Sequence, residues 1–216
     1  MKKGCGAMQT EQVRIFNEQG KPIGIKSRAD VHRNGDWHET FHCWMIGKRD
    51  QTYYVDIQLR SIDKKDFPSM YDISAAGHLQ SHEVKEDGVR ELEEELGIKV
   101  AYEHLLPLGT FADAITTPSI CDNEFCHVYL CEAIPESVLH YSIQVEEISG
   151  MFRMMWSDFK RIFSTTNEEA HATGFLLENN QKSVATVSIT KKDFVPHSAS
   201  YVQHFIQAVD RVIATD

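Results

Sequence analysis

The chain has 216 residues, 42% of them apolar and 25% charged, with a formal net charge of −10. That length admits one large domain, or a domain with an appendage, and the apolar fraction is ordinary for a soluble globular protein with a substantial core. The acidic balance excludes a nucleic-acid duplex or an anionic membrane as main partner, because both repel a negative surface. No apolar stretch approaches a membrane span, and Met1 to Ala7 lacks the apolar middle of a secretion signal. Residues 1–10 are expected to form a flexible N-terminus. The five cysteines are an odd number without a Cys-x-x-Cys pair, which argues against a disulfide framework and for a reducing cytoplasm.

In chain order, Gln12 to Phe16 alternates as a strand, and Gln19 to Pro22 reads as a turn before a second short strand. Ser27 to His32 reads as a short helix starting near Ser27 or Arg28. Phe41 to Ile46 and Tyr53 to Leu59 form a hairpin with Gly47 to Asp50 as its turn, followed by a polar loop over Lys64 to Pro68. Ile73 to Leu79 is an extended run leading into a helix. After Gly97, strands are expected over Ile98 to Tyr102, Leu105 to Ala112, Phe125 to Cys131 and Met151 to Trp156. A short helix then begins with Ser157 as N-cap. Cys121, Cys126 and Cys131 are five apart, which puts Cys126 and Cys131 on opposite strand faces as packed thiols. Val184 to Ile189 is an edge strand or hairpin arm after an Asn179-Asn180 turn. Pro196 and Ser198 introduce a last helix whose stripe of Val202, Phe205, Ile206, Val209 and Ile213 is a core or homodimer face.

Residues 77–98 carry the strongest chemical signal. Residues three and four apart share a helix face, so Glu91, Glu94 and Glu95 converge on one side while Val89, Leu92 and Leu96 anchor the other. Three carboxylates on adjacent turns repel one another unless a cation sits among them, and Mg²⁺ is the natural oxygen-loving choice. A run of acidic residues is ordinarily a solvated face. Here the run follows a glycine-containing loop and Arg90, and it closes on Gly97, a helix C-cap residue. The metal-site reading is therefore preferred, with Glu93 off the shared face and solvated.

This stretch resembles the Nudix box: a glycine, five residues, a glutamate, seven residues, then Arg-Glu-apolar-any-Glu-Glu-any-Gly-apolar. Gly77 and Glu83 match the first part and Arg90 through Ile98 the second, but six residues, not seven, separate Glu83 from Arg90. The resemblance implies an α/β (α+β) fold, a Nudix-type α/β/α sandwich with a mixed sheet. It would occupy residues 11–165, with residues 166–216 a C-terminal strand and helical extension packed on the same domain. The segments Arg14 to Gly24, His32 and Trp37 to Phe41 are further similar to isopentenyl-diphosphate isomerases, a branch of that superfamily. Those enzymes hold a metal with histidines of this region and one following the catalytic cysteine in Cys-Gly-His. Here the tripeptide is Ala76-Gly77-His78. An alanine methyl supplies no proton, so isomerase activity is not expected. His32, His38 and His78 are candidates for a second site, for Zn²⁺ or Mn²⁺, or are simply hydrogen-bonding residues.

The resemblance implies Mg²⁺-dependent hydrolysis, with Mn²⁺ as substitute, of a diphosphate linkage in a nucleoside diphosphate joined to another moiety. The metal ligands expected are Glu91, Glu94 and Glu95, with Glu83 reaching the metal shell or sitting at the helix start. Arg90 would fix the carboxylates and Gly77 would permit the tight loop. Arg60 is a candidate phosphate clamp, since a guanidinium binds phosphate bidentately. Glu147, or its neighbour Glu146, is the candidate for orienting water; Glu124 is a further loop carboxylate. The competing reading is a non-catalytic module that binds a nucleotide or metabolite.

Overall fold

The computed structural model describes residues 11–118, 120–132, 137–165, 168–179 and 181–215; the expectation for residues 1–10 lies outside them. Strand β1 (Gln12–Phe16) turns back into β2 (Pro22–Ser27), with which it pairs antiparallel. The Asn17 side chain accepts from the Gln19 and Lys21 amides, fixing the turn. Helix α1 (Arg28–Asn34) starts where expected: the Ser27 hydroxyl accepts from the Asp30 amide at 3.2 Å.

The hairpin β3 (Trp37–Arg49) and β4 (Thr52–Arg60) is longer than expected. Its turn is the pair Asp50-Gln51, with φ of 47° and 65°, rather than Gly47 to Asp50. Two positive-φ residues in a two-residue loop give the twist that hairpins prefer. Strand β3 then organises the sheet. Met45 to Arg49 pair with β4, but Thr40 to Cys43 pair on with β6 (Ala75–His78). At the junction Ser74 accepts from the Met45 amide at 2.8 Å and donates to the Asp56 carbonyl. The sheet therefore divides midway along β3, and the division opens a cleft. Strand β5 (Tyr71–Asp72) pairs with β4.

Helix α2 (Arg90–Leu96) is preceded by a 3₁₀ turn over Lys85–Val89 and ends at Gly97, whose φ of +69° is left-handed. The strand expected over Ile98 to Tyr102 does not form. Ile98, Val100 and Tyr102 pack against the core under α2, so their alternation is satisfied without a pairing partner. Strands β7 (Leu106–Thr116) and β8 (Cys121–Cys131) form an antiparallel hairpin, and β8 joins β3 in parallel. Strand β9 (Ile148–Met155) leads directly into α3 (Trp156–Ser164). Ser157 lies inside that helix, because the chain turns at Met155 as soon as the strand ends. Strands β10 (Glu169–Glu178) and β11 (Gln181–Thr190) extend the sheet, and α4 (Ala199–Ile213) closes the chain.

The strand order is β11-β10-β9-β4-β3-β1-β2, with β5 on β4, β6 and β8 on β3, and β7 on β8. One face packs under α3 and α4 around Trp44, Phe152, Phe159 and Phe205; the other packs under α2 around Phe41, Leu92, Leu96 and Phe175. Cys126 belongs to the first core and Cys131 to the second, as their odd spacing requires. The mixed sheet between helices is the expected architecture. The apolar stripe of α4 is a core face: Val202, Phe205 and Val209 are buried, and Phe205 stacks on Trp44 with centroids 4.2 Å apart. No helix among the described residues is long and apolar enough to cross a membrane.

The turn before α4 is held by charge. His197 places Nδ1 2.6 Å from Asp113 on β7 and Nε2 2.9 Å from Asp72 on β5. Two carboxylates facing both ring nitrogens make the ring an imidazolium. Burial alone would depress its pKa, but the bonds to Asp113 and Asp72 outweigh it and hold the value at about 10. An imidazole ionises near 6.5 when unfolded, so this stabilisation is fully present below that pH and is lost as pH rises toward 10. Urea unfolding should therefore show wild-type stability declining through this window relative to H197Q, at up to ~1.4 kcal/mol per pH unit. Parallel pH dependences of the two proteins would contradict the assignment.

Candidate functional site

The cleft at the sheet division has a volume of about 270 Å³. Its walls come from α2 (Glu91, Glu94, Glu95), β6 (Ala76, Gly77, His78), β3 (Thr40, His42) and β8 (Asp122, Glu124). The end of β4 (Arg60), the loop after it (Lys64), the loop before β9 (Glu147) and the turn before α4 (His197) complete it.

On the α2 side, Glu91 is 8% and Glu95 6% exposed, whereas Glu94 stands at the cleft mouth. Leu92 and Leu96 are fully buried beneath them and fix the helix rotation. Arg90 gathers the carboxylates: Nη1 donates to Glu91 at 2.6 Å and to Glu94 at 3.0 Å. Its Nε and Nη2 bind Glu83 bidentately at 2.7 and 3.0 Å, and Nη2 also reaches the His78 carbonyl. Burial pushes the Glu91 carboxyl up to about 7; Arg90 opposes that and Glu94 adds to it. Burial, then the neighbouring Glu91 charge, pushes Glu95 well above the usual carboxylate range, against one bond from the Ala76 amide at 3.2 Å. These are oxygen donors with a deficit of positive charge, the condition a hard divalent cation relieves.

Gly77 matters for a steric reason that its place in the motif does not reveal. A Cβ on it would lie 2.0 Å from Glu91 Oε1 and 2.2 Å from its carboxyl carbon. Only glycine lets Glu91 lie against β6. Glu83 does not join the cleft-facing carboxylates, because Arg90 and the Gln80 amide occupy both its oxygens. Glu93 is exposed, on the far side with Lys99.

On the other side of β6, His32, His38 and His78 converge, each offering a ring nitrogen within 4.8 Å of the others. They come from α1, β3 and β6. His32 Nε2 and His78 Nε2 are 3.0 Å apart. His38 Nε2 and Asp122 Oδ1 lie 3.6 Å apart, and both are buried without a hydrogen-bond partner. Glu124 Oε1 is 3.9 Å from the same His38 nitrogen. Burial, followed by the charges of Arg28 and His38, brings His32 down to about 4 and His78 well below its usual range. The depressed basicity of His32 and His78, beside His38 and two carboxylates, fits a cation of mixed nitrogen and oxygen preference. The two orphaned buried atoms are what such an ion would satisfy.

Arg60 faces the cleft, but its guanidinium is drawn to Asp72 at 2.8 Å and to the Asp66 and Phe67 carbonyls. Glu147 lines the cleft near Glu95 and is ion-paired with Lys64, while Glu146 is exposed and does not line it. Lys64, Asp122, Thr40 and His197 are cleft residues that the sequence reading passed over. Asp122 and Glu124 alternate with Cys126 on one strand face. That period of two becomes visible only when β8 is started at Cys121 instead of Phe125.

No family model matches the chain. It is 34% identical over 203 residues to an uncharacterized Nudix hydrolase of Clostridium acetobutylicum, covering 94% of this chain and 98% of that protein. It is 31% identical over 162 residues to an isopentenyl-diphosphate Δ-isomerase of Salmonella paratyphi B, covering 73% of this chain and 83% of that one. Among solved structures, the DR0079 protein of Deinococcus radiodurans shares the fold, with a TM-score of 0.51 and 24% identity over 71% of this chain and 90% of that one. With its near full-length Clostridium relative, its carboxylate-bearing motif helix and its sandwich fold, the chain belongs to the Nudix hydrolase superfamily.

Proposed function

We propose that the cleft hydrolyses a diphosphate linkage in a nucleoside diphosphate joined to another moiety, with Mg²⁺, or Mn²⁺ in its place, as cofactor. The observation that carries this reading is the burial of Glu91 and Glu95 beside Glu94, where Arg90 reaches Glu91 and Glu94 but not Glu95. Glu91, Glu94 and Glu95 hold the cation; when bound it neutralises charge developing on the phosphates and acidifies water. Arg90 orients these carboxylates, and Glu83 orients Arg90 through its two-pronged bond. Lys64 and Arg60, on the opposite wall, supply positive charge where the diphosphate lies. Glu147 is the residue assigned to orient the attacking water, its carboxylate passing from Lys64 to the water as the phosphates draw the ammonium away.

The histidine cluster is assigned to a second divalent cation, held by His32, His38 and His78 with Asp122 and Glu124. Isomerisation is set aside because Ala76 lines the cleft where that reaction needs a proton donor. Cys43, Cys121, Cys126 and Cys131 are thiols rather than disulfide partners, which supports a reducing cytoplasm as the site of action.

Two variants test the reading. E94Q should lower phosphate release from nucleoside diphosphate sugars and dinucleotides by two orders of magnitude or more, measured with excess Mg²⁺, with an unchanged circular dichroism spectrum. Unchanged turnover would remove Glu94 from the mechanism. A flat response of the wild-type protein across the panel, alongside tight binding of one compound, would instead favour the non-catalytic module. G77A should displace the Glu91 carboxylate and weaken Mg²⁺ binding by roughly tenfold or more in calorimetry, because it disturbs a ligand without altering its chemistry. Wild-type Mg²⁺ affinity in a folded G77A protein would contradict the role given to Glu91.

A further inference from the structure

Helix α4 reaches the histidine cluster through a chain of hydrogen bonds whose directions are fixed by chemistry. The Trp44 indole N–H can only donate, and it points at the Tyr201 hydroxyl oxygen at 3.2 Å. Tyr201 is fully buried, and the other group at its hydroxyl is His42 Nδ1, at 2.9 Å. The hydroxyl proton therefore goes to Nδ1, since the reverse direction would leave a buried O–H without an acceptor. With Nδ1 accepting, the ring proton resides on Nε2, which faces Glu124 Oε2 at 3.3 Å. The same carboxylate oxygen receives the Thr40 hydroxyl at 3.4 Å and the Cys126 thiol at 3.6 Å. Oε1, by contrast, is turned toward His38 Nε2 and away from these donors. The carboxylate is thus sorted into one tethered oxygen and one presented oxygen.

We propose that Tyr201 and His42 are positioning residues that hold Glu124 as an oxygen ligand of the histidine site, so that its cation affinity is set from the C-terminal helix. This deepens the reading of His32, His38 and His78 as a metal site and rests on it. The residues that perform the sorting lie on β3 and α4, and His42 turns its Nε2 to Glu124 Oε2 rather than to the three-histidine group. A ligating carboxylate whose second oxygen is untethered pays rotamer entropy on each binding event, and loss of such a partner typically costs 10–100-fold in metal affinity.

The test is calorimetric titration of Zn²⁺ into protein already saturated with Mg²⁺, so that the α2 carboxylates are occupied. The phase missing from H78A identifies the histidine site. Y201F keeps the buried ring and removes only the hydroxyl, and it should weaken that phase by about 10–100-fold. H42L should weaken it at least as much, whereas H42Q, whose amide N–H reaches Glu124 as Nε2 does, should restore it to within about threefold of wild type. Thermal midpoints and circular dichroism of the three variants separate this effect from loss of fold. If the H78-dependent phase is present but unchanged in folded Y201F and H42L, the relay is wrong while the metal site stands. If wild type and H78A take up Zn²⁺ identically, the metal reading fails and the relay falls with it.

Discussion

Like charge held at close range in a nearly dry place is the constraint on which this structure turns. Glu91 and Glu95 are buried on one helix face beside Glu94, and desolvation and mutual repulsion both act against their ionisation. Arg90 offsets part of that cost by distributing three donor nitrogens among Glu83, Glu91 and Glu94. Its bidentate bond to Glu83 consumes much of its charge, so a net negative hollow persists toward the cleft. A helix that needed only to pack would retain Leu92 and Leu96 and place no carboxylates here.

The architecture exists to hold that hollow against a second one. Strand β3 exchanges partners midway, from β4 to β6, and the exchange parts the sheet. On β6 successive side chains alternate in direction, so Gly77 yields space to Glu91 while His78 turns to His32 and His38. Two neighbours on one short strand, Gly77 and His78, thereby adjoin the carboxylate group and the histidine group. The C-terminal helix closes the opposite wall through the His197 imidazolium between Asp72 and Asp113, which ties the last helix to the strands that frame the cleft.

Features written in local spacing were legible from the chain. Glu91, Glu94 and Glu95 share a face because i, i+3 and i+4 positions must, and Ser27 and Ser198 cap the helices that follow them. Features set by partners elsewhere were not. The first half of strand β10 carries Ala170, Ala172 and Gly174 on its inward face, so it lacks large apolar residues that would mark a strand. Gly174 is there because any Cβ would strike the Met151 carbonyl at 1.9 Å. Ile98, Val100 and Tyr102 alternate like a strand but meet no open sheet edge. Asp122 and Glu124 read as a turn and a stray acid until β8 is seen to run beside β3, bringing them to His38 and His42. The chemistry of the motif is local in sequence, whereas the histidine cluster is assembled from three separate elements and its carboxylates from a fourth.

The most direct measurement is anomalous diffraction from crystals soaked in Mn²⁺ with a non-hydrolysable diphosphate compound. The account predicts a manganese peak bounded by the carboxylates of Glu91, Glu94 and Glu95, with phosphate oxygens on its open side. Ordered diphosphate in the cleft with no metal peak at these three side chains would contradict it.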